Sequence, residues 1–161
     1  MLFAGSIREN VFFGESGAPE TDDELKNAIE LSQAEEFVQK LPDVTEHMIS
    51  QMGRNVSGGQ KQRLSIARAL SRKPEILVFD DSFSALDYKT DAKLREGLNE
   101  KLKDTTKIIV AQRISTIRHA DKIIVLDRGE AVGMGTHEEL MKNCDVYKEI
   151  ALSQLSAAEL A

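Results

Sequence analysis

The spacing of apolar residues changes between the first and second halves of the chain. Up to Arg72, side-chain caps introduce one predicted helix after another. From Glu75 onward, short apolar runs rich in β-branched residues alternate with polar stretches, which is typical of buried strands separated by helices. These strands are predicted at 76–79, 107–111 and 123–126, with a short fourth strand at 131–134 after a hairpin turn. The pattern predicts an α/β fold in which a helical block precedes a mostly parallel sheet.

Four capping boxes mark the expected starts of helices. In each, a serine or threonine hydroxyl can accept a backbone N–H of the first turn, and a glutamate can return the bond. The boxes are Ser6/Glu9, Thr21/Glu24, Ser32/Glu35 and Thr136/Glu139. The resulting helices are predicted from Thr21 to about Leu31, from Ser32 to before Pro42, and at 61–72, 88–103, 137–143 and 146–152. Pro74 breaks the chain, so we divide it into a helical part, 1–73, and an α/β part, 74–161.

A serine followed by two glycines stands at the start of the helix predicted at 61–72. Unsatisfied N–H groups and the helix dipole at such a position favour an anion, although a glycine pair alone is more typical of an ordinary loop before a helix. The strand at 76–79 then ends in Asp80 and Asp81, and a carboxylate there can hold Mg²⁺ through water. This order, a phosphate site and then an acidic strand end, indicates a nucleotide triphosphate and its magnesium.

Composition excludes several classes of function. The net charge of −6 over 161 residues argues against nucleic-acid binding, which needs a clustered basic face. The single cysteine, Cys144, excludes an internal disulfide and suits a reducing cytoplasm. No apolar run approaches the ~18 residues of a membrane span, and no signal-peptide pattern occurs at the start. We therefore expect a domain that does not itself enter the membrane.

Four segments in order resemble the motifs of ATP-binding cassette (ABC) proteins. The segment 2–10 resembles the one that follows the Q-loop in exporters, and 76–80 resembles the Walker B strand. The signature motif is matched by Ser57, Gly58, Gly59 and Gln60, and the D-loop by Ser84, Ala85, Leu86 and Asp87. The four motifs in register are far more specific than the glycine pair alone.

The resemblance implies a partial P-loop NTPase core of the RecA-like type, preceded by the helical subdomain of ABC proteins. No Gly-x-x-x-x-Gly-Lys-Ser/Thr sequence occurs in the chain, so it lacks the loop that wraps the phosphates. We therefore expect the C-terminal part of a nucleotide-binding domain, which does not hold ATP well alone. The implied cofactors are ATP and Mg²⁺, with Asp80 as the metal-binding residue.

Two positions depart from the family's pattern. Asp81 stands where the family has a glutamate that polarises the attacking water, and its carboxylate is shorter by one methylene. Gln112, in a segment that resembles the switch or H-loop, stands where histidine is expected and cannot shuttle a proton. The two departures resemble the degenerate half of bacterial heterodimeric multidrug-type exporters, whose own site hydrolyses ATP slowly or not at all.

The resemblance also implies partners and a location. Two such domains sandwich two ATP molecules, so Ser57–Gln60 and the D-loop are expected to serve a partner domain's site, in a heterodimer. A transmembrane domain, upstream or on another chain, places the assembly at the cytoplasmic face of the cell membrane. Two alternatives stay open: a stand-alone regulatory remnant that docks on a partner, and a soluble ABC ATPase of DNA repair or chromosome organisation. The acidic balance and the exporter-like segment 2–10 argue against the second.

Overall fold

The computed structural model describes residues 1–14 and 19–154. In chain order its elements are β1 (Gly5–Ser6), α1 (Ile7–Val11), α2 (Asp22–Leu31), α3 (Glu35–Val38), β2 (Met48–Ile49), α4 (Gly58–Ser71), β3 (Ile76–Asp80), α5 (Tyr88–Lys101), β4 (Thr106–Val110), α6 (Ile114–Ile117), β5 (Ile123–Asp127), β6 (Glu130–Gly135), α7 (His137–Asn143) and α8 (Asp145–Gln154). Short 3₁₀ helices at Val44–Glu46 and Gln51–Gly53 flank β2. None of the helices in these residues combines the length and apolar character that a membrane span requires.

The chain forms two compact units, one over Met1–Ile108 and a second that begins at Ile109. Helices and strands alternate from β3 onward, so the predicted order of a helical block and an α/β region is confirmed. The division into subdomains at 73/74 stays a prediction.

The predicted helix caps are mostly present. Ser6 and Thr136 form complete capping boxes, and Thr21 accepts the N–H of Glu24. The box predicted at Ser32 is wrong: Ser32 is fully buried at the end of α2, and its hydroxyl donates to the Ile29 carbonyl oxygen at 3.0 Å. A buried hydroxyl takes the nearest carbonyl, here one on the preceding helical turn, instead of capping the next helix.

Helix α4 forms the centre of the first unit, with α1 and α2 packed against it. Its Leu64 and Ala67 are fully buried, as are Ile7 and Val11 of α1. The apolar side chains exclude water between the helices, and this burial is the main source of their stability.

Arg68 of α4 also ties the beginning of the chain to this core. Its guanidinium donates to the carbonyl oxygens of Met1 (2.8 Å) and Asn10 (2.6 Å) and to Asn10 Oδ1 (2.9 Å). The same group lies over the stacked rings of Phe3 and Phe13, 5.0 and 5.5 Å from their centroids. One side chain therefore orders segment 2–10 through both polar and aromatic contacts.

We predict that Arg68→Met lowers the free energy of unfolding by about 3 kcal/mol, since a hydrogen bond from a charged donor contributes roughly 1.5–3 kcal/mol and the Asn10 carbonyl oxygen loses its Arg68 donor. Asn10 is only 2% exposed. Urea denaturation followed by circular dichroism measures the effect. The control is Arg54→Met, which removes the same charge from an exposed position of the same unit. Equal losses in the two variants would contradict the prediction.

Strands β3 and β4 pair with each other and are connected by α5. The Thr106 N–H donates to the Glu75 carbonyl oxygen at 2.9 Å, which joins the strands at their N-terminal ends, as parallel pairing with a helical crossover requires. The other two sheets, β1–β2 and β5–β6, are antiparallel pairs. Among the described residues, the parallel part of the predicted sheet is therefore the β3–β4 pair.

The expectation that these strands are buried is wrong for part of each strand in the described residues. Leu77 and Phe79 of β3 are buried, but Ile76 and Val78 are 58% and 63% exposed, and Ile108 of β4 is 50% exposed. Both faces of β3 are apolar, as in a strand covered on two sides, but only the face with Leu77 and Phe79 is buried.

The second unit contains the β5–β6 hairpin with α6, α7 and α8. The turn at Arg128 and Gly129 has positive φ at both residues (48° and 86°), as a type I′ hairpin needs, so the predicted hairpin is confirmed. Its core is a cluster of buried side chains: Ile114, Ile123, Val125, Leu140, Cys144, Tyr147 and Ala151. Burial raises the pKa of Tyr147 and lowers that of His137, whose Nδ1 lies 2.7 Å from the Tyr147 hydroxyl.

Candidate functional site

Ser57, Gly58, Gly59 and Gln60 form the N-terminal end of α4. Ser57 is the N-cap: its hydroxyl oxygen accepts the Gln60 N–H at 3.3 Å, and Gln60 Oε1 accepts the Ser57 N–H at 2.8 Å. Ser57 and Gly58 are exposed. A hydroxyl that accepts a cap bond still has its own proton to donate, and the first-turn N–H groups have no partner within the helix. This end of the helix can therefore donate hydrogen bonds to an anion.

The two glycines have different surroundings. A Cβ on Gly59 would lie 3.1 Å from the Ala85 carbonyl oxygen, so a side chain there would crowd the loop that follows β3. A Cβ on Gly58 would meet nothing within 4 Å. Packing within the described residues accounts for a glycine at 59 but leaves open space at 58.

Asp80 and Asp81 stand at the carboxyl end of β3. Asp80 is the last residue of the strand and Asp81 the first of the turn, and both are exposed. Asp81 has φ 48°, a left-handed conformation that aspartate tolerates better than most residues. Its carbonyl oxygen accepts the Ser84 hydroxyl at 2.9 Å. The strand end thus presents two carboxylates to solvent on a tight turn.

The segment Ser84, Ala85, Leu86 and Asp87 connects this turn to α5. Leu86 is buried and anchors it, while Ser84 and Ala85 are exposed. Asp87 caps α5, since its carboxylate accepts the Thr90 N–H at 3.0 Å and the Thr90 hydroxyl at 2.8 Å. The hydrogen bonds to Thr90 lower the pKa of Asp87. Asp87 is therefore the N-cap of α5.

Gln112 lies in the second unit, before α6, with its side chain exposed. Its carbonyl oxygen accepts a hydrogen bond from Gln154 Nε2 at 2.8 Å, and Gln154 Oε1 accepts the Ile114 N–H at 2.9 Å. Helix α8 therefore holds the backbone around Gln112 through one amide side chain.

Gln62 makes a similar pair of bonds in the first unit. Its Nε2 donates to the Asp81 carbonyl oxygen at 3.2 Å, and its Oε1 accepts the Ala85 N–H at 3.1 Å. Sequence reasoning missed Gln62 and Gln154, because a polar residue on a helix gives no signal of what it contacts. Only the position of Gln62 just after residues 57–60 hinted at a role.

The described residues contain no group of three or more His, Cys, Asp and Glu side chains able to hold a metal. Magnesium takes few protein ligands and keeps several waters, and the exposed Asp80 carboxylate offers the oxygen donor that this ion prefers. Asp80 therefore fits a magnesium ion held through water.

Comparison with known proteins identifies the family. Residues 2–84 match the family model described as ABC transporter. The chain is similar to a putative ABC transporter ATP-binding protein of Mycoplasma genitalium (45% identity, covering 96% of this chain and 26% of that protein). It is also similar to a putative export ATP-binding/permease protein of Rickettsia felis (43% identity, covering 96% and 27%).

A solved structure of an ABC exporter matches the fold of this chain. A bacterial Atm1-family ABC exporter with ATP bound matches with a TM-score of 0.90 and 34% identity, over 96% of this chain and 27% of that one. The chain thus spans about a quarter of the length of the proteins it matches, and its α/β fold is that of the ABC nucleotide-binding domain. The chain belongs to the ABC transporter family.

Proposed function

We propose that this chain is the C-terminal part of the ATP-binding domain of an ABC exporter, which couples ATP binding and hydrolysis to export across a membrane. The observation that carries the proposal is the N-terminal end of α4, where Ser57 and Gly58 are exposed and open space surrounds Gly58. Glycine lets a ligand approach the backbone closely. The export proteins to which the chain is similar support transport as the process.

The donors at residues 57–60 serve an ATP molecule bound by a second ABC domain. Donors fixed on a helix end stabilise the charge that develops on a γ-phosphate without reorganising during the reaction. The 161 residues contain no P-loop sequence, so these donors lack a phosphate-wrapping loop of their own within the chain. The D-loop, residues 84–87, lies against Gly59 and belongs to the same interface.

Asp80, Asp81 and Gln112 belong to the domain's own site, which is degenerate. Magnesium bound through water at Asp80 would neutralise phosphate charge. Asp81 is one methylene shorter than glutamate, so its carboxylate reaches the attacking water poorly, and Gln112 cannot carry a proton. The partner domain then supplies the competent site, which makes the assembly a heterodimer.

The half-exposed apolar side chains of the strands also support a larger domain. Ile76, Val78 and Ile108 lie on strands whose two faces are both apolar. Such strands occur in sheets covered on both sides. The remainder of the nucleotide-binding domain supplies the second cover, and a transmembrane domain joins it at the cytoplasmic face of the cell membrane.

ATP hydrolysis by the complete transporter tests the proposal. We expect the full-length protein with its partner to hydrolyse ATP, and the isolated 161-residue chain to bind and hydrolyse none measurably, because the loop and lysine that hold the phosphates are absent from its sequence. Phosphate release and binding of a fluorescent ATP analogue measure both. Robust hydrolysis by the isolated chain would overturn the proposal.

A further inference from the structure

We propose that Gln62 is a positioning residue that holds the turn carrying Asp81 and the D-loop against the signature helix. Both polar atoms of its amide bond to the backbone of this turn. Nε2 donates to the Asp81 carbonyl oxygen at 3.2 Å, and Oε1 accepts the Ala85 N–H at 3.1 Å. A single side chain thus bonds to the backbone at the beginning of the turn and again within the D-loop.

The backbone conformation of Asp81 requires hydrogen bonds that hold this turn in place. Asp81 is in a left-handed conformation, which costs a non-glycine residue conformational energy and persists only where the surroundings hold it. Phe83 and Leu86 are buried and anchor the inner side, but Asp81, Ser84 and Ala85 are exposed. The direction of the Asp81 carboxylate therefore depends on hydrogen bonds to the turn's backbone, of which Gln62 supplies one from another element.

A second contact joins the same two elements. A Cβ on Gly59 would lie 3.1 Å from the Ala85 carbonyl oxygen, so the first turn of α4 and the D-loop are in close approach there. Gln62 lies one turn further along α4 and accepts the N–H of the same residue, Ala85. The first two turns of α4 and the Asp81 turn are consequently held together at two points.

This coupling has a consequence for the reaction, which rests on the proposed function. Residues 57–60 serve the partner's ATP, whereas Asp81 belongs to the chain's own site. A displacement of one element is transmitted to the other through Gln62, so the two ATP sites are linked within this chain. Gln62 touches no nucleotide in this role and acts through the residues it holds.

The test compares Gln62→Met with Gln39→Met in the full-length transporter with its partner. Methionine keeps the length of the side chain and removes both hydrogen bonds, while Gln39 is an exposed glutamine of the same unit. We expect kcat to fall about tenfold with KM for ATP within about twofold in Gln62→Met, as the loss of two neutral hydrogen bonds allows. Gln39→Met leaves both constants unchanged.

Hydrogen exchange of the same proteins measures the Gln62–Ala85 hydrogen bond separately from its effect on kcat. The Ala85 amide should exchange about tenfold faster in Gln62→Met, because it loses its acceptor. A second variant, Gln62→Glu, keeps that acceptor but loses the donor to Asp81. We expect it to retain slow Ala85 exchange and to lower kcat less than Gln62→Met does, because the bond that it loses serves the site that contributes little.

Different results would contradict the positioning role of Gln62 and the proposed function of the chain. Unchanged Ala85 exchange in Gln62→Met, or unchanged kcat beside an active wild type, would overturn the positioning role. A wild-type assembly that hydrolyses no ATP would instead overturn the proposed function. A variant that loses thermal stability and in which kcat and KM change by similar factors would also contradict the positioning role of Gln62.

Discussion

Ser57→Ala in the full-length transporter is expected to lower ATP hydrolysis at the partner's site by about a hundredfold or more. Loss of one preorganised donor to a developing oxyanion costs on the order of 10²–10³ in kcat. Ser57 combines an exposed hydroxyl with a position at the N-terminal end of a 14-residue helix, so its proton can reach a phosphate from another domain. Single-turnover hydrolysis of radiolabelled ATP measures the change.

The same substitution also removes a helix cap, which contributes about 1 kcal/mol to stability. Thr136→Ala is the matched control, because the Thr136 hydroxyl accepts the Glu139 N–H at 3.3 Å, the distance found at Ser57, in an equally complete capping box. We expect both variants to lose similar stability and only Ser57→Ala to lose hydrolysis. Equal activity in the two variants would show that Ser57 is a cap and nothing more.

The second large expected effect is a gain of ATP hydrolysis. Asp81→Glu combined with Gln112→His is expected to raise hydrolysis at the chain's own site by about a hundredfold, since a misplacement of about 1 Å costs that much. The added methylene extends the carboxylate towards the water, and histidine can exchange a proton near neutral pH. The measurement is hydrolysis in an assembly whose partner site is inactivated.

Asp23→Glu is the control for the longer side chain, because Asp23 is an exposed carboxylate in the first turn of α2 and lies outside the proposed site. Asp81→Asn should change total hydrolysis less than Ser57→Ala does, because the chain's own site contributes little. A larger loss from Asp81→Asn would place the competent site in this chain and contradict the assignment of a degenerate one.

Local patterns predicted much of the fold. Caps at Ser6, Thr21 and Thr136, the hairpin turn at Arg128–Gly129, and the end of α2 at Leu31 all lie where the sequence placed them. Each depends on a residue and its neighbours within one turn, which is the range over which sequence patterns carry information. The resemblance to the ABC family is likewise a property of the chain alone, and the match over residues 2–84 confirms the family.

Contacts between distant residues could not be predicted in this way. Ser32 has the local signal of a cap, yet it is fully buried at the end of α2 and its hydroxyl donates to the Ile29 carbonyl oxygen. Strand β3 has the composition of a strand buried on both faces, yet one face is exposed because exposure depends on what covers the strand.

In the candidate site, too, local sequence was predictive and contacts between distant residues were not. The residue types at 57–60, 80–87 and 112 are read from the sequence, including Asp81 and Gln112 where glutamate and histidine are expected. The bonds from Gln62 to the Asp81 turn and from Gln154 to the Gln112 backbone appear only in the folded chain. Each joins residues far apart in sequence, and such pairs are selected by the packing of whole elements rather than by any local preference.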